Sequence, residues 1–480
     1  MPAMTSPGKT SAILAVALLS GCAIGPDFKR PSPGAPTSFR DQEAQGSQSI
    51  ADLAWWDVYR DARLKELISS AIANGYDARI AAARVEESRA IAAQVHGQLF
   101  PGVGYVANGD RGKNAVLGSP STQEAGAIFN GFDAYLGAAW EFDLWGRVRR
   151  LDEAARSQYL ATEDARRGVL LSLVSDVATA YYELLELDDE LAIAKEATTS
   201  FGESLRLFNQ RLEGGVVSRL DTASAEAAMA ASAARVPVLE TQISIKENQI
   251  SVLIGRNPGP IVRGGRLADL AAPPDVPAGL PSALLERRPD VRAAEEEARA
   301  ANAGIGVTVG GFLPRIGLSA LLGGVSPQLN DIASRGARLW NVGAGVTGPV
   351  FQGGGLRGQY DQAKAAWEAA KLGYQQAALS AFGDVANALV TRQKLAEVRA
   401  EQERAVAAYE DAVRISTQRY SAGRASYYEV LEAQQLLFPA EVSLAQARRD
   451  QFIAVVQLYK ALGGGWNLKD AEWAGTGGPR

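Results

Sequence analysis

The chain has 480 residues, 47% hydrophobic and 21% charged, with a formal net charge of -5, a balance that suits a folded protein of two or three domains' length. It offers no broad basic surface, so nucleic acid is not an expected partner. One histidine, one cysteine and three methionines leave almost nothing from which to build a His-based triad, a His-rich zinc site or a methionine relay for soft metals. No catalytic residue, metal or cofactor is expected.

At the N-terminus, Lys9 precedes a small apolar stretch from Ser11 to Leu19 of signal-peptide length, too short to span a bilayer. Leu19-Ser20-Gly21-Cys22 resembles the lipobox of bacterial lipoproteins. That resemblance implies a signal peptide over residues 1–21 and acylation at Cys22, where several chains at about 0.8 kcal/mol per buried CH₂ make a durable anchor. An ordinary signal peptide with a chance cysteine is the alternative. A disulfide within one chain is excluded, because Cys22 has no second cysteine to meet. Ala23 stands where lipoproteins kept at the inner membrane often carry Asp, which favours the outer membrane. Beyond the leader no run of about twenty apolar residues is evident, so a membrane crossing would need a closed β-barrel. Removal of the leader leaves Met229 as the sole methionine.

After an extended segment (22–61), the chain repeats itself. At a constant offset of 208 residues, as from Asp176 to Asp384, Gln210-Arg211 pairs with Gln418-Arg419, Gly215 with Gly423, Ser218 with Ser426 and Gly255 with Gly463. Upstream the offset is 213, as from Asp77 to Asp290 and from Pro101 to Pro314. The first copy occupies 62–262, a linker 263–276, the second copy 277–466 and a tail 467–480. So long a period makes each copy a structural half rather than a solenoid repeat.

Each copy reads as a short helical segment, a β-hairpin and two long helices joined by a tight turn. In the first, Asn74-Gly75 interrupts a helix and Asp77 is placed to cap another running to about Gln98; in the second, Pro289 and Asp290 suit a helix start. His96 falls near the end of this pattern and is expected to be structural.

The β segments alternate. Phe132, Ala134, Leu136, Ala138, Trp140 and Phe142 fall on one face, with Asp133, Tyr135, Gly137 and Glu141 on the other. Trp340, Val342, Ala344 and Val346 repeat the phase, and Val103, Tyr105 and Ala107 match Ile316, Leu318 and Ala320. Polar loops are expected at about 108–127 and 324–337. A soluble sandwich could use such strands. Four strands cannot close a barrel, but three copies would supply twelve, apolar faces to lipid and small polar faces to a lumen.

From about residue 145 to 212 only isolated glycines interrupt a helical pattern, and Leu170, Leu173, Val177, Ala180, Leu184, Leu187 and Leu191 form a coiled-coil-like seam. Such a helix would reach on the order of 100 Å. Asp188 and Asp189 read as surface acids without a pocket. The turns that follow carry Gly215 and Gly423, suited to left-handed C-caps, and Ser218 and Ser426, suited to N-caps.

Together these pieces resemble the TolC/OprM-type outer-membrane efflux proteins, in the NodT-like lipoprotein branch that serves resistance-nodulation-division pumps. The stretches that carry the resemblance are Cys22 to Pro31, Trp55-Trp56, Glu286-Arg287-Arg288-Pro289-Asp290-Val291-Arg292 and Tyr459-Lys460-Ala461-Leu462-Gly463-Gly464-Gly465-Trp466. The resemblance implies an α plus membrane β-barrel fold: a homotrimer with a twelve-strand outer-membrane barrel continued by a twelve-helix periplasmic α-barrel. An inner-membrane pump and a periplasmic adaptor would feed this passive Gram-negative channel. By the same resemblance, the adaptor docks at the turns (Gly215, Ser218, Leu220, Asp221; Gly423, Ser426, Tyr427). Tyr420, Tyr428 and Glu432 would form the periplasmic gate, with rings of tyrosines and carboxylates favouring cations. Ser421 stands where the family often has a basic residue, and Glu432 where it often has Asp, so a latch of salt bridges is not expected here. The rival readings are a channel for protein secretion or metal export, and a lipid-anchored coiled-coil scaffold without a pore.

Overall fold

The computed structural model describes residues 23–39, 49–113, 128–271, 279, 281–469 and 472–473. Cys22, the expected signal segment and most of the tail lie outside them. The longer elements are α1 (Ala62–Asn74), α2 (Tyr76–His96), β1 (Gly102–Lys113), β2 (Ile128–Phe142), α3 (Arg147–Glu213), α4 (Arg219–Leu253), α5 (Pro289–Gly310), β3 (Arg315–Ser326), β4 (Arg338–Thr347), α6 (Gly355–Ser421) and α7 (Tyr427–Ala461). The duplication is exact in length where the offset is 208: α3 and α6 each have 67 residues, and α4 and α7 each have 35. Asp77 lies inside the first turn of α2, which begins at Tyr76, so it is not the cap. Pro289 and Asp290 do open α5.

The chain divides into two compact units. The first holds the β segments. They form one antiparallel sheet in the order β1-β2-β3-β4, leaving β1 and β4 as edges. Directly paired residues share a face. Leu136 lies opposite Tyr105 and Leu322, Trp140 opposite Leu318, Phe142 opposite Ile316, and Trp340 opposite Leu322. The alternation therefore builds one continuous apolar face. Tyr105, Leu322, Trp340 and Val342 on it are 83%, 63%, 73% and 74% exposed, so among the described residues nothing covers it. β1 runs five residues past the expected loop start, because Asn108 pairs with Asp133 across the strands at 3.0 Å and keeps the ladder going. β3 likewise continues to Ser326.

The first unit also pins the chain's beginning. Buried Arg150 donates to the carbonyls of Ala23, Ile24 and Gly25 and to Asp27, and Asn302 donates to the carbonyl of Pro26. His96 pairs with Asp152 at 3.1 Å.

The second unit is helical. The α3 seam is buried from Leu170 to Leu184, with Leu187 and Leu191 half-buried. α3 contains an 18-residue window apolar enough by composition to cross a membrane, against the sequence expectation, but 67% of it is buried by packing, as in a core helix. Asp188 and Asp189 depart further from expectation. Asp189 is buried and pairs with Arg266 at 3.1 Å, while Asp188 holds Arg263 at 2.8 Å, so both tie α3 to the segment after α4. Facing α7, Glu186 and Glu190 are buried as well, held by Arg449 at 3.3 Å and Gln446 at 2.7 Å. The segment around Trp55 closes the unit: its indole donates to the carbonyl of Trp473, and the Tyr459 hydroxyl donates to that of Leu53.

Candidate functional site at the helical turns

Both long helices end alike. Gly215 and Gly423 take φ of +72° and +70°, which lets the chain leave the helix without the steric cost a Cβ would add. Val216 N–H then reaches the Arg211 carbonyl and Gly215 N–H that of Leu212; Arg424 and Gly423 make the same pair of 2.9 Å bonds to Arg419 and Tyr420. These are Schellman C-caps.

The N-caps that follow differ. Ser218 forms a full capping box with Asp221: its hydroxyl accepts from the Asp221 amide, and the Asp221 carboxylate accepts from the Ser218 amide at 2.9 Å. Ser426 occupies the N-cap position, but its side chain makes no capping bond, which corrects the expectation from the sequence. Three residues on, Glu429 pairs with Arg419 at 3.1 Å instead of reaching back to the Ser426 amide, so the other half of the box is not made either. Leu220 is 75% exposed beside the first turn.

The tyrosines of the second turn separate into two environments. Tyr428 is 64% exposed, and Glu432, one turn further along the same face, is exposed too. Tyr420 and Tyr427 are turned inward, their rings 4.9 Å apart and edge to face. They meet one face of α3. The Arg211 guanidinium lies 4.6 Å over the Tyr420 ring, Phe208 packs edge-on to Tyr427 at 4.6 Å, and the Tyr427 hydroxyl is hydrogen-bonded to Ser204. Burial pushes the Tyr427 phenol pKa up, with the Ser204 bond opposing. The structure thus brings Tyr420 together with Tyr427, and leaves Tyr428 and Glu432 outside that contact. Ser204 and Phe208 are absent from the residues singled out in the sequence, where Arg211 figures only as a repeated position. Their i, i+4, i+7 spacing, ending one turn before Gly215, marks a single helical face and was the available signal.

Among the described residues no group of three or more His, Cys, Asp or Glu is arranged to hold a metal ion.

The sequence profile described as outer membrane efflux protein matches residues 67–256 and 280–464. The solvent efflux pump outer membrane protein SrpC of Pseudomonas putida is 34% identical over 468 residues, covering 96% of this chain and 99% of that protein. The cation efflux system protein CusC of Escherichia coli is 29% identical over 465 residues, with coverage of 96% and 99%. Among solved structures, the outer-membrane channel OprN matches with a TM-score of 0.85 at 31% identity, over 93% of this chain and all of that one. The open state of the Neisseria gonorrhoeae MtrE outer membrane channel matches at 0.84 and 30% identity, over 93% of this chain and 99% of that one.

Proposed function

The chain belongs to the outer membrane efflux protein family, and from that premise we propose how it serves as the outer-membrane channel of a tripartite efflux system. Three copies close the barrel by pairing the free β4 edge of one protomer with the β1 edge of the next, twelve strands in all. The observation that carries this is the sheet itself: two open edges and one uncovered apolar face. An unpaired edge is unstable in lipid, where no water satisfies its backbone groups.

Conduction is passive. Tyr428 and Glu432, free of the inward contacts of Tyr420 and Tyr427, ring the periplasmic entrance; a triad of carboxylates there favours cations. The periplasmic adaptor docks at the two turns, on Gly215, Ser218, Leu220 and Asp221 and on Gly423 and Ser426, with an inner-membrane pump of the resistance-nodulation-division type behind it. Cys22, outside the described residues, is acylated and anchors the trimer to the outer membrane. The substrates are organic small molecules. The lone Met229 of the mature chain supports these over soft metal ions, which thioether and thiolate ligands select.

Single-channel conductance of the purified trimer in a planar bilayer tests the gate. Small cation-favouring openings that widen and lose selectivity in the Tyr428→Ala/Glu432→Ala variant are expected; identical traces would remove both residues from the gate.

A further inference from the structure

The apolar face of the sheet changes character along its length. On β2 the run from Phe142 to Phe132 rises about 25 Å, at about 3.4 Å per residue and a tilt of about 40°, which is the height of the apolar band of an outer-membrane barrel. β1 follows α2 and β2 leads into α3 at the Phe142 end, so the other end of the face points away from the periplasmic helices and reaches the outer leaflet.

At that end the same face turns basic. Arg111 lies opposite Asn130, two residues beyond the pair of Gly109 and Phe132; Lys113 follows on β1, and Arg338 stands two residues beyond Trp340 on β4. All three cations are exposed, and among the described residues none has a hydrogen-bond or ion-pair partner. The nearby acids Asp110 and Asp133 fall on the opposite face.

The duplication shows where these cations meet. Within the protomer β2 pairs with β3, and Phe132 lies opposite Ser326. Advancing the first residue by 208 and moving the second back by 213 gives Trp340 and Lys113. A β4–β1 junction built on the same register therefore sets Trp340 of one copy opposite Lys113 of the next. Arg338 is then diagonal to that lysine, at about 7–8 Å, and Arg111 lies one step along the same face. The equivalent positions at the β2–β3 junction are Asn130, Ser326 and Gly324, all uncharged. The repeat thus places these cations only where two copies join. Like charges gathered beside hydrocarbon repel one another unless an anion lies among them. The arginine fork matches phosphate oxygens, the lysine adds a point charge, and Trp340 supplies the indole favoured at a membrane interface.

We propose that each junction between copies binds a phosphate-bearing lipid headgroup of the outer leaflet, held by Arg338 of one copy and by Lys113 and Arg111 of the next. The acyl chains lie along the apolar face, and the phosphate ties the two copies across the seam that closes the barrel. This rests on β4 closing on β1, as proposed above.

Full-length trimer in detergent micelles, titrated with lipid A, tests it. Native mass spectrometry reads the lipid retained, and semi-native gels read the temperature at which the trimer dissociates. Lipid A should be retained and raise that temperature; dephosphorylated lipid A and inorganic phosphate should do neither. Arg338→Gln or Lys113→Gln should weaken retention about fivefold, the worth of one basic side chain at an anionic bilayer surface, and the Arg111→Gln/Lys113→Gln/Arg338→Gln variant about a hundredfold. Equal retention of the two lipids, equal retention by parent and triple variant, or equal stabilisation by inorganic phosphate would overturn the proposal. A Trp340→Cys/Lys113→Cys variant tests the premise separately, since oxidation should link the copies covalently. Cross-linking without any preference for the phosphorylated lipid removes the headgroup site alone, whereas absence of cross-linking removes the junction on which it rests.

Discussion

The Nη2 atom of Arg150 lies 2.7 Å from Oδ1 of Asp27, and the same buried guanidinium reaches three consecutive carbonyls just before it, those of Ala23, Ile24 and Gly25. One side chain near the start of α3 thus fixes the first described residues of the chain. Gly146 and Gly306 allow the close approach, since a Cβ on either would sit within 2.7 Å of this segment's backbone. We expect Arg150→Met, which keeps the aliphatic stem but loses the donors, to release residues 23–30. Leaving the bound carbonyls without a donor costs about 2 kcal/mol, or roughly thirtyfold in local opening. Trypsin cleavage after Lys29 in the assembled trimer measures this, and an unchanged rate would show that the clamp is dispensable.

Arg288 is a second clamp, and the duplication shows what it replaces. It grips both oxygens of Asp290 at 2.9 and 2.6 Å, Asp384 at 2.9 Å and the carbonyl of Ala461 at 3.1 Å. Burial alone would raise the Asp290 pKa; the bonds to Arg288 outweigh it and hold that carboxyl below its usual range. The stability it contributes is therefore present above the unfolded carboxylate pKa and is lost as pH falls through the folded value. In the first repeat, Asp77 and Asp176 occupy the positions of Asp290 and Asp384, and Gly75 stands where the arginine would be. Burial, with Asp77 adding to it, pushes the Asp176 pKa up against the influence of Lys460. Arg288→Ala should cost about 1 kcal/mol, because Asp290 and Asp384, each about half exposed, keep much of their hydration when the guanidinium is lost. In that background Asp384→Asn should cost far less than it does alone. A double-mutant cycle by thermal denaturation measures the coupling, and additive effects would argue against it.

Glu186 gives the unit a pH dependence. Burial between α3 and α7 and its proximity to Glu190 push its pKa up to about 8, against the pull of Arg449. A carboxyl with a raised folded pKa binds its proton in the native state while the unfolded chain has already released it. Stability therefore declines as pH rises from the ordinary carboxylate range toward that value. Thermal melts across this window should show a falling Tm for the parent protein and a flatter curve for Glu186→Gln, with the variant the more stable at the alkaline end. Parallel curves would mean that another group carries the dependence.

Period and offset make much of this architecture legible in the sequence itself. Strict alternation specifies the sheet's apolar face because a strand has only two sides, and Gly215 and Gly423 mark both turns because few residues tolerate positive φ. What escapes are contacts that no local pattern encodes. The leucine seam alone places Asp189 on a surface, yet its partner Arg266 lies 77 residues away in a segment without periodicity. Tyr427 and Tyr428 are neighbours in sequence, but the roughly 100° between successive helical residues sends one against α3 and the other outward. Which one turns inward depends on Ser204 and Phe208, far earlier in the chain.

The two turns, alike in sequence, should also differ in strength. Ser218 satisfies an amide that helix geometry leaves without a partner, and Asp221 returns the favour to the Ser218 amide; in the second turn the Ser426 hydroxyl makes no capping bond and Glu429 is engaged with Arg419. Losing a working cap costs about 1 kcal/mol, whereas losing an idle hydroxyl costs a few tenths at most. Ser218→Ala should therefore speed amide exchange in the first turn of α4 about fivefold, while Ser426→Ala leaves the first turn of α7 nearly as it was. Breaking the pair with Arg419→Ala frees Glu429 to reach back to the Ser426 amide, and exchange in the first turn of α7 should then slow. Hydrogen exchange read by mass spectrometry on the trimer resolves all three, and equal acceleration by both serine variants would mean that the second box closes after all.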